Sequence, residues 1–244
     1  MAFITLPLVG LLLRTPWSSL GSLLASADVH SALWLSVECS FAALALSLLL
    51  GVPLAFLLAR TDFPGKAVVR ALVTLPLVLP PVAGGVALLL AFGSNGIVGD
   101  ALGALQVQLP FTTAGAVLAE TFVALPFLVL SVEGALAGLD QEHEDVAATL
   151  GARPLRVFLT VTVPLVGPGI AAGAALAWAR ALGEFGATIT FAGNLPGSTQ
   201  TLPLAVYVLL QDDPDAAIAL SLLLLAVSLA VLVLLRGRWL GRTS

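Results

Sequence analysis

Five apolar segments, each long enough to cross a lipid bilayer as a helix, constrain this chain more than any other feature of its sequence. They cover about residues 33–58, 72–92, 113–132, 161–182 and 216–235. The hydrocarbon core of a bilayer is about 30 Å thick, and about 20 apolar helical residues cross it. Charged residues make up only 10% of the chain and its mean hydropathy is +1.08, whereas soluble domains carry about 25% charged residues. The sequence therefore predicts an all-α, polytopic membrane helix bundle.

A shorter apolar segment, residues 3–13, precedes these five. As a helix it spans about 16 Å, which is less than the hydrocarbon thickness. We interpret it as a truncated or tilted first span, so the bundle is expected to have five to six transmembrane helices. The expected organisation is an N-terminal segment over residues 1–30, a membrane domain over residues 31–235 and a tail over residues 236–244.

The distribution of basic residues predicts the orientation of the bundle. Eight of the ten Lys and Arg residues fall on one side of the predicted spans, and they are Arg60, Lys66, Arg70, Arg153, Arg156, Arg236, Arg238 and Arg242. The loops over residues 93–112 and 184–215 contain none. Since basic loops stay in the cytoplasm, we expect a multi-pass protein of the cell (inner) membrane whose C-terminus is cytoplasmic.

The predicted cytoplasmic loop over residues 140–160 has the pattern of a short helix. Asp140 can cap its start, and acidic residues follow it where the helix dipole favours them. Gly151 is placed to end the helix, and Pro154 suits the first turn of the next one. An apolar face at helical spacing consists of Val146, Ala147 and Leu150. A helix this short is marginal alone in water, so we expect another protein to cover that face.

The same loop carries a specific spacing. Asp145-Val-Ala is followed by three residues, then Gly151, then nine residues, then Val161-Thr-Val-Pro164. This resembles the EAA loop of type I ABC importer permeases, in which Glu-Ala-Ala, three residues, Gly and nine residues precede Ile-x-Leu-Pro. The spacing is the same throughout, and the differences at positions 145, 146, 161 and 163 are conservative. The resemblance covers roughly residues 31–235 and implies the type I permease fold.

Other stretches narrow the resemblance to the molybdate or tungstate type of permease. They are residues 179–194, with Leu-Gly-Glu-Phe-Gly at their centre, residues 201–204, and residues 75–81 followed by Gly84. Sulfate-type permeases share the Leu-Gly-Glu-Phe-Gly core, but the Thr-Leu-Pro-Leu of residues 201–204 is less expected in them. The resemblance therefore implies import of molybdate or tungstate, and a sulfate-type oxyanion permease is the first alternative.

The resemblance also implies a division of labour. A homodimer of the permease works with two cytoplasmic ATPase subunits, which hold ATP and Mg, and with an external oxyanion-binding protein. The sequence contains no Gly-x-x-x-x-Gly-Lys-Ser/Thr phosphate loop. We therefore expect that this chain is not an enzyme, has no catalytic residues, and binds no cofactor, metal or nucleic acid. The residues implied to couple it to the ATPase are Glu144, Asp145, Ala147, Ala148, Gly151, Arg153 and Pro154.

Polar residues in or near the spans are candidates for the translocation path. Arg180 and Glu184 are four residues apart and can pair on one helix face, either as a structural ion pair or on the pore wall. Glu120 lies deep in a span and must be paired, protonated or beside water. Hydroxyl and amide groups would suit an oxyanion, and those in this region belong to Thr188, Thr190 and Asn194. For the threonines, interhelical packing is an equal alternative.

Two other classes of membrane protein remain as alternatives. A proton-coupled secondary transporter could use Glu120 as a relay, but such proteins often contain inverted repeats, and this sequence shows no convincing internal repeat. A purely structural membrane subunit would not need the loop at residues 140–160. The spacing within that loop therefore favours the ABC permease.

Overall fold

A computed structural model describes the backbone of residues 2–240, and the side chains of that range apart from positions 4, 232 and 234–240. Every element in this range is helical, which confirms the all-α prediction. The helices are α1 (Ala2–Arg14), α2 (Leu20–Leu24), α3 (Ala27–Arg60), α4 (Lys66–Val78), α5 (Pro81–Phe92), α6 (Gly99–Ala104), α7 (Thr113–Ala137), α8 (Glu142–Thr149), α9 (Pro154–Val157), α10 (Val163–Leu165), α11 (Gly167–Leu182), α12 (Gly186–Phe191), α13 (Leu202–Asp212) and α14 (Pro214–Leu240).

Within the described residues, three helices are long and apolar enough to cross a membrane, namely α3, α7 and α14. They contain the predicted spans 33–58, 113–132 and 216–235, and each is longer than predicted. Helix α3 begins at Ala27 because the Ser26 hydroxyl accepts a hydrogen bond from the Val29 amide. The Thr112 hydroxyl caps α7 in the same way through the Gly115 amide, at 3.1 Å.

The segment predicted as one span over residues 72–92 is divided into α4 and α5. The break falls at Leu79 and Pro80, where Leu79 has an extended backbone. A residue before proline is driven out of the helical region, and Pro80 and Pro81 also lack amide hydrogens. The two helices have 13 and 12 residues, so neither reaches the length of a full crossing. That they cross the membrane together stays a prediction.

The segment predicted as a span over residues 161–182 is a bent pair. Its first half runs from Pro154 to Leu165 through a π-helical turn at Phe158–Thr162, and its second half is α11. The two halves meet at 75°. Pro168, at the start of α11, has no amide hydrogen and crowds the carbonyl four residues earlier, which accounts for the bend. Taken as one span, this pair is a fourth candidate crossing among the described residues.

The core forms where α3, α7 and α11 pack together through small residues. A Cβ added at Gly173 would lie 2.8 Å from Ser131 Cβ, and one added at Gly169 would overlap Ala135 Cβ. The Ser131 hydroxyl donates a hydrogen bond to the Gly169 carbonyl at 3.1 Å. Small residues four positions apart let helix backbones approach closely in a membrane. Close contact between α7 and α11 therefore holds the centre of the bundle.

The two ends of the chain differ in part from the prediction. Helix α1 has 13 residues, about 20 Å of helix, which is too short to cross a membrane by itself. Helix α14 continues through residues 236–240, which were predicted as tail. Arg242 lies outside the described residues, as do the side chains of Arg236 and Arg238. The region predicted as a loop over residues 184–215 contains two further helices, α12 and α13.

Candidate functional site

The segment from Leu139 to Val157, here called the α8 loop, contains the predicted short helix. Asp140 accepts a hydrogen bond through Oδ1 from the Glu142 amide at 3.1 Å, so it satisfies a free donor at the start of α8 as predicted. Gln141 intervenes between the two. Three acidic residues, Glu142, Glu144 and Asp145, occupy the first turn, where the helix dipole stabilises negative charge.

Gly151 ends α8, as the sequence predicted. Its φ angle is +84°, in the left-handed region that non-glycine residues rarely occupy. Its amide donates to the Ala148 carbonyl at 2.9 Å, and the next amide, from Ala152, donates to Ala147 at 3.2 Å. These two bonds form a Schellman motif, which satisfies the last carbonyls of a helix. Position 151 therefore needs glycine for its backbone conformation.

The second helix of the loop begins where it was predicted. Pro154 is the first residue of α9, and Arg153 precedes it with an extended backbone, accepting a hydrogen bond from the Val157 amide at 3.0 Å. Both side chains are exposed. Pro154 fits here because a first-turn residue has no partner for an amide hydrogen.

One side of α8 is exposed and partly apolar. Leu150 is 83% exposed and Val146 is 52% exposed. Asp145 and Ala148 are also exposed, and Ala147 is half-buried. Two large apolar side chains, one on this short helix and one directly after it, present a surface that another protein can cover.

Glu144 faces the other way, into the bundle. Its Oε2 lies 3.3 Å from Nε of Arg60, the last residue of α3. Its Oε1 accepts a hydrogen bond from Oγ1 of Thr162 at 2.9 Å, and Arg60 Nη2 donates to the Leu139 carbonyl at 3.2 Å. Sequence reasoning missed Arg60 and Thr162 as partners of this loop. The only signal for Arg60 was its place among the basic residues of the predicted cytoplasmic side.

A charged cluster of Glu120, Arg180 and Glu184 lies between α7 and the end of α11. The predicted ion pair is present, because Arg180 Nη2 lies 2.5 Å from Glu184 Oε2. The other oxygen of Glu184 accepts a hydrogen bond from the Ala187 amide at 2.7 Å. The Glu184 side chain is 1% exposed and that of Arg180 is 28% exposed. Glu184 thus ties the end of α11 to the first turn of α12.

Glu120 is also 1% exposed, but it has no basic partner among the described residues. Its Oε2 has no hydrogen-bond partner there. The nearby Glu184 carboxylate repels a negative charge on Glu120. Arg180 pairs with Glu184 and not with Glu120. The sequence left three possibilities for Glu120, namely an ion pair, a protonated carboxyl group or contact with water. The described residues provide no ion pair for it.

The remaining path candidates lie on α12 and just beyond it. Thr190 donates to the Gly186 carbonyl at 2.8 Å, within its own helix. The Thr188 hydroxyl is buried without a partner in the described range, and so is Asn194 Oδ1. Thr188 and Asn194 therefore keep unused hydrogen-bonding capacity, whereas the Thr190 hydroxyl is satisfied locally.

Helix α5 packs closely on α12, which sequence reasoning did not predict. A Cβ added at Gly85 would lie 2.6 Å from Thr190 Cβ, and one added at Gly186 would lie 2.8 Å from Pro81 Cβ. The signal was the glycine pair that follows Pro81. This contact places the start of α5 beside the path candidates of α12.

A crevice of about 620 Å³ opens in the segment between α5 and α7. Among the described residues that line it, Asp100 is the one ionisable residue, and the other polar side chains include Gln106 and Gln108. An unpaired carboxylate repels an anion, so this crevice is a poor site for an oxyanion.

Comparison with known proteins places these features in context. Residues 51–242 match the family described as the binding-protein-dependent transport system inner membrane component. The molybdenum transport system permease protein ModB of Mycobacterium tuberculosis is 49% identical over 96% of this chain and 88% of its own length. ModB of Escherichia coli is 44% identical over 87% of this chain and 93% of its own length. The sulfate transport system permease protein CysT of Salmonella typhimurium is 35% identical over 93% of this chain and 83% of its own length.

Solved structures share the fold at lower sequence identity. A chain of a bacterial ABC transporter involved in the import of the acidic polysaccharide alginate matches with a TM-score of 0.76 and 18% identity, over 99% of this chain and 91% of that chain. A chain of the MetNI methionine ABC transporter in an inward-facing conformation matches with a TM-score of 0.66 and 17% identity, over 90% of this chain and 100% of that chain. The helical architecture is therefore the one found in ABC importers.

Proposed function

This chain belongs to the family of binding-protein-dependent transport system inner membrane components, and we propose that it is the permease of an ATP-driven importer of molybdate or tungstate. The chain is a membrane permease subunit with the type I ABC importer fold, and ATP hydrolysis takes place in separate subunits. The substrate, the assembly and the roles of individual residues are the proposed part.

One observation carries the substrate assignment. The two relatives named as molybdenum transport permeases are 49% and 44% identical to this chain, whereas the relative named as a sulfate transport permease is 35% identical. All three matches extend over most of the chain, so the difference does not come from a short conserved core. Molybdate and tungstate have nearly the same size and charge, and the proposal covers both.

The α8 loop is the proposed contact with the ATPase. Its exposed Val146 and Leu150 offer an apolar face, and Asp145 adds a charge beside it. Gly151 ends α8 and Pro154 begins α9 three residues later, so a short turn joins the two helices. On this proposal the basic side of the bundle and the C-terminus face the cytoplasm, where the ATPase binds ATP and Mg.

The proposed assembly contains two copies of this permease, two ATPase subunits and an external oxyanion-binding protein. Support comes from the fold shared with the alginate transporter, which has been solved in complex with an alginate pentasaccharide-bound periplasmic protein. In such an assembly the substrate passes between the external protein and the cytoplasm through the bundle.

The charged cluster and α12 are proposed to line or gate the translocation path. Arg180 is the only basic residue there in the described range, and its charge is already paired by Glu184. A divalent oxyanion would therefore meet a neutralised cation and the unused hydroxyl of Thr188, which favours weak binding. Weak binding suits a path from which the substrate must be released.

The proposal is tested with vesicles that contain this chain, its ATPase and its binding protein. Uptake of labelled molybdate is measured against an excess of tungstate or of sulfate. We expect tungstate to compete and sulfate to leave uptake unchanged. Uptake of labelled sulfate that molybdate cannot suppress would instead establish the sulfate-type alternative. An ATPase variant lacking its phosphate-loop lysine is the matched control, because it leaves the permease intact.

A further inference from the structure

Glu144 joins three elements at one end of the bundle. It lies in the first turn of α8, Arg60 is the last residue of α3, and Thr162 is the last residue of the π-helical turn. The contacts connect positions 84 and 18 residues apart in sequence. Arg60 also binds the Leu139 carbonyl, so it holds the approach to α8 as well as α8 itself.

This contact is shielded from water. The side chains of Arg60 and Glu144 are 10% and 15% exposed, and Thr162 is fully buried. An exposed ion pair contributes little and is easily exchanged for water. When a largely buried pair loses one partner, the other charge is left desolvated. Loss of either partner therefore leaves the other charge largely buried without its counterpart.

The elements that Glu144 joins lead into the centre of the bundle. Helix α3 packs against α7 and α11. Thr162 is followed by Pro164 and then by the 75° bend into α11. A π-helical turn interrupts the regular hydrogen-bond ladder and is often found at functional sites. A displacement of α8 would therefore reach α3 and the bent helix through the same carboxylate.

We infer that Glu144 is a positioning residue that transmits movement of α8 to α3 and to the bent helix, and that it does not contact the ATPase. The inference rests on the proposed function, because it takes α8 as the ATPase-docking helix. Adjacent carboxylates then have opposite tasks: Asp145 faces the partner, and Glu144 faces the bundle. The loss of Glu144 should weaken coupling while docking persists.

The test compares two variants with two matched controls in the reconstituted complex. Glu144→Gln removes the charge, and the control Asp62→Asn removes a carboxylate charge from an exposed position just after α3, outside the α8 loop. Thr162→Val removes the hydroxyl bonded to Glu144, and Thr160→Val removes a hydroxyl that donates to the Arg156 carbonyl one turn earlier. The readouts are ATP hydrolysis, substrate uptake and the amount of ATPase that copurifies.

We expect both test variants to retain the ATPase and to hydrolyse ATP, while uptake per ATP falls roughly 2- to 30-fold, the range for residues within a coupling network. Both controls should keep the wild-type ratio. Arg60→Gln, made alone and together with Glu144→Gln, removes the same contact. The double variant should therefore lose no more uptake per ATP than the worse of the two single variants. A wild-type ratio in Glu144→Gln would overturn the inference, and so would a parallel loss of hydrolysis and copurified ATPase.

A second measurement does not depend on transport. Hydrogen exchange of the purified full-length permease should show faster exchange over residues 139–149 in Glu144→Gln than in Asp62→Asn, because the clamp on α8 has been removed. Equal exchange in the two variants would overturn the inference even if the complex proved inactive. If the wild-type chain neither retained an ATPase nor took up molybdate, the proposed function would fail, and the exchange result would still decide whether Glu144 holds α8 in place.

Discussion

Gly151 provides a sharp test of the α8 loop because its requirement for glycine can be separated from packing. Its φ is +84°, and nothing lies within 4 Å of the position that a Cβ would occupy. A Cβ at this position therefore meets no clash with the described residues. The remaining cost is that of holding an L-residue in the left-handed region, about 1–2 kcal/mol.

That cost is large for this helix. Helix α8 has eight residues, and isolated helices shorter than about 12–15 residues are marginal in water. A change of 1–2 kcal/mol corresponds to a factor of about 5–30 in an equilibrium constant. In Gly151→Ala, the ratio of the correctly terminated loop to alternative loops should fall by about that factor. Gly151→Val should be more severe, because β-branched residues tolerate positive φ poorly.

The assay is the initial rate of ATP-driven uptake in vesicles, together with the amount of copurified ATPase. Gly151→Asn is the matched variant, since asparagine adopts the left-handed conformation more readily than alanine. Gly134→Ala is the neutral control, because Gly134 lies inside α7 with open space around it and no positive φ. We expect Gly134→Ala and Gly151→Asn to retain most uptake and Gly151→Ala to lose most of it. Equal uptake by the Ala and Asn variants at position 151 would refute backbone conformation as the reason for glycine.

Three further predictions concern the docking face, the charged cluster and the core. Leu150→Asp, with Asp62→Asn as the surface control, should change the stability of the isolated permease by no more than about 0.5 kcal/mol but abolish copurification of the ATPase. Unchanged copurification would show that this face is not the contact. Arg180→Gln should destabilise the chain by about 3 kcal/mol because Glu184 is left buried and unpaired. Glu184→Gln should cost about 1 kcal/mol because a neutral side chain can still accept the Ala187 hydrogen bond. Thermal unfolding in detergent measures both costs, and equal costs would contradict the burial argument. Gly169→Ala should destabilise the chain by about 1–3 kcal/mol through overpacking against Ala135, and adding Ala135→Gly should restore much of that stability. If the second change does not help, the contact between α7 and α11 is not the cause of the loss.

Local signals in the sequence predicted the parts of the structure that local physics determines. Apolar length predicted α3, α7 and α14, and the caps at Asp140 and Gly151 predicted the bounds of α8 to within two residues. These features depend on solvent transfer and on backbone conformation within a few residues. They can therefore be derived from neighbouring residues alone.

Other parts depended on competition between signals or on distant contacts. Residues 72–92 form one largely apolar segment, but Pro80 and Pro81 divide it into two helices. Apolar length alone does not show whether prolines within a predicted span will break it. Pro53 and Pro126, in contrast, lie inside α3 and α7, which remain continuous. Two adjacent prolines thus break one span, whereas a single proline is accommodated in each of the other two.

The direction in which Glu144 faces could not be obtained from sequence. Its partners Arg60 and Thr162 are brought to it by the packing of three helices. The spacing of the loop pattern identifies the segment, but it does not say which carboxylate faces the bundle. Similarly, the spacing of Arg180 and Glu184 predicted their ion pair, whereas the absence of a basic partner for Glu120 emerged only from the fold.

The energy source for uptake distinguishes an ATP-driven importer from a secondary transporter. Vesicles containing this chain, its ATPase and its binding protein are loaded with ATP or exposed to a proton gradient, and labelled molybdate is followed inside them. We predict accumulation with ATP and all three proteins, and none when the ATPase is omitted, whatever the proton gradient. Accumulation by this chain alone under a proton gradient, without ATP, would contradict the account and identify a secondary transporter.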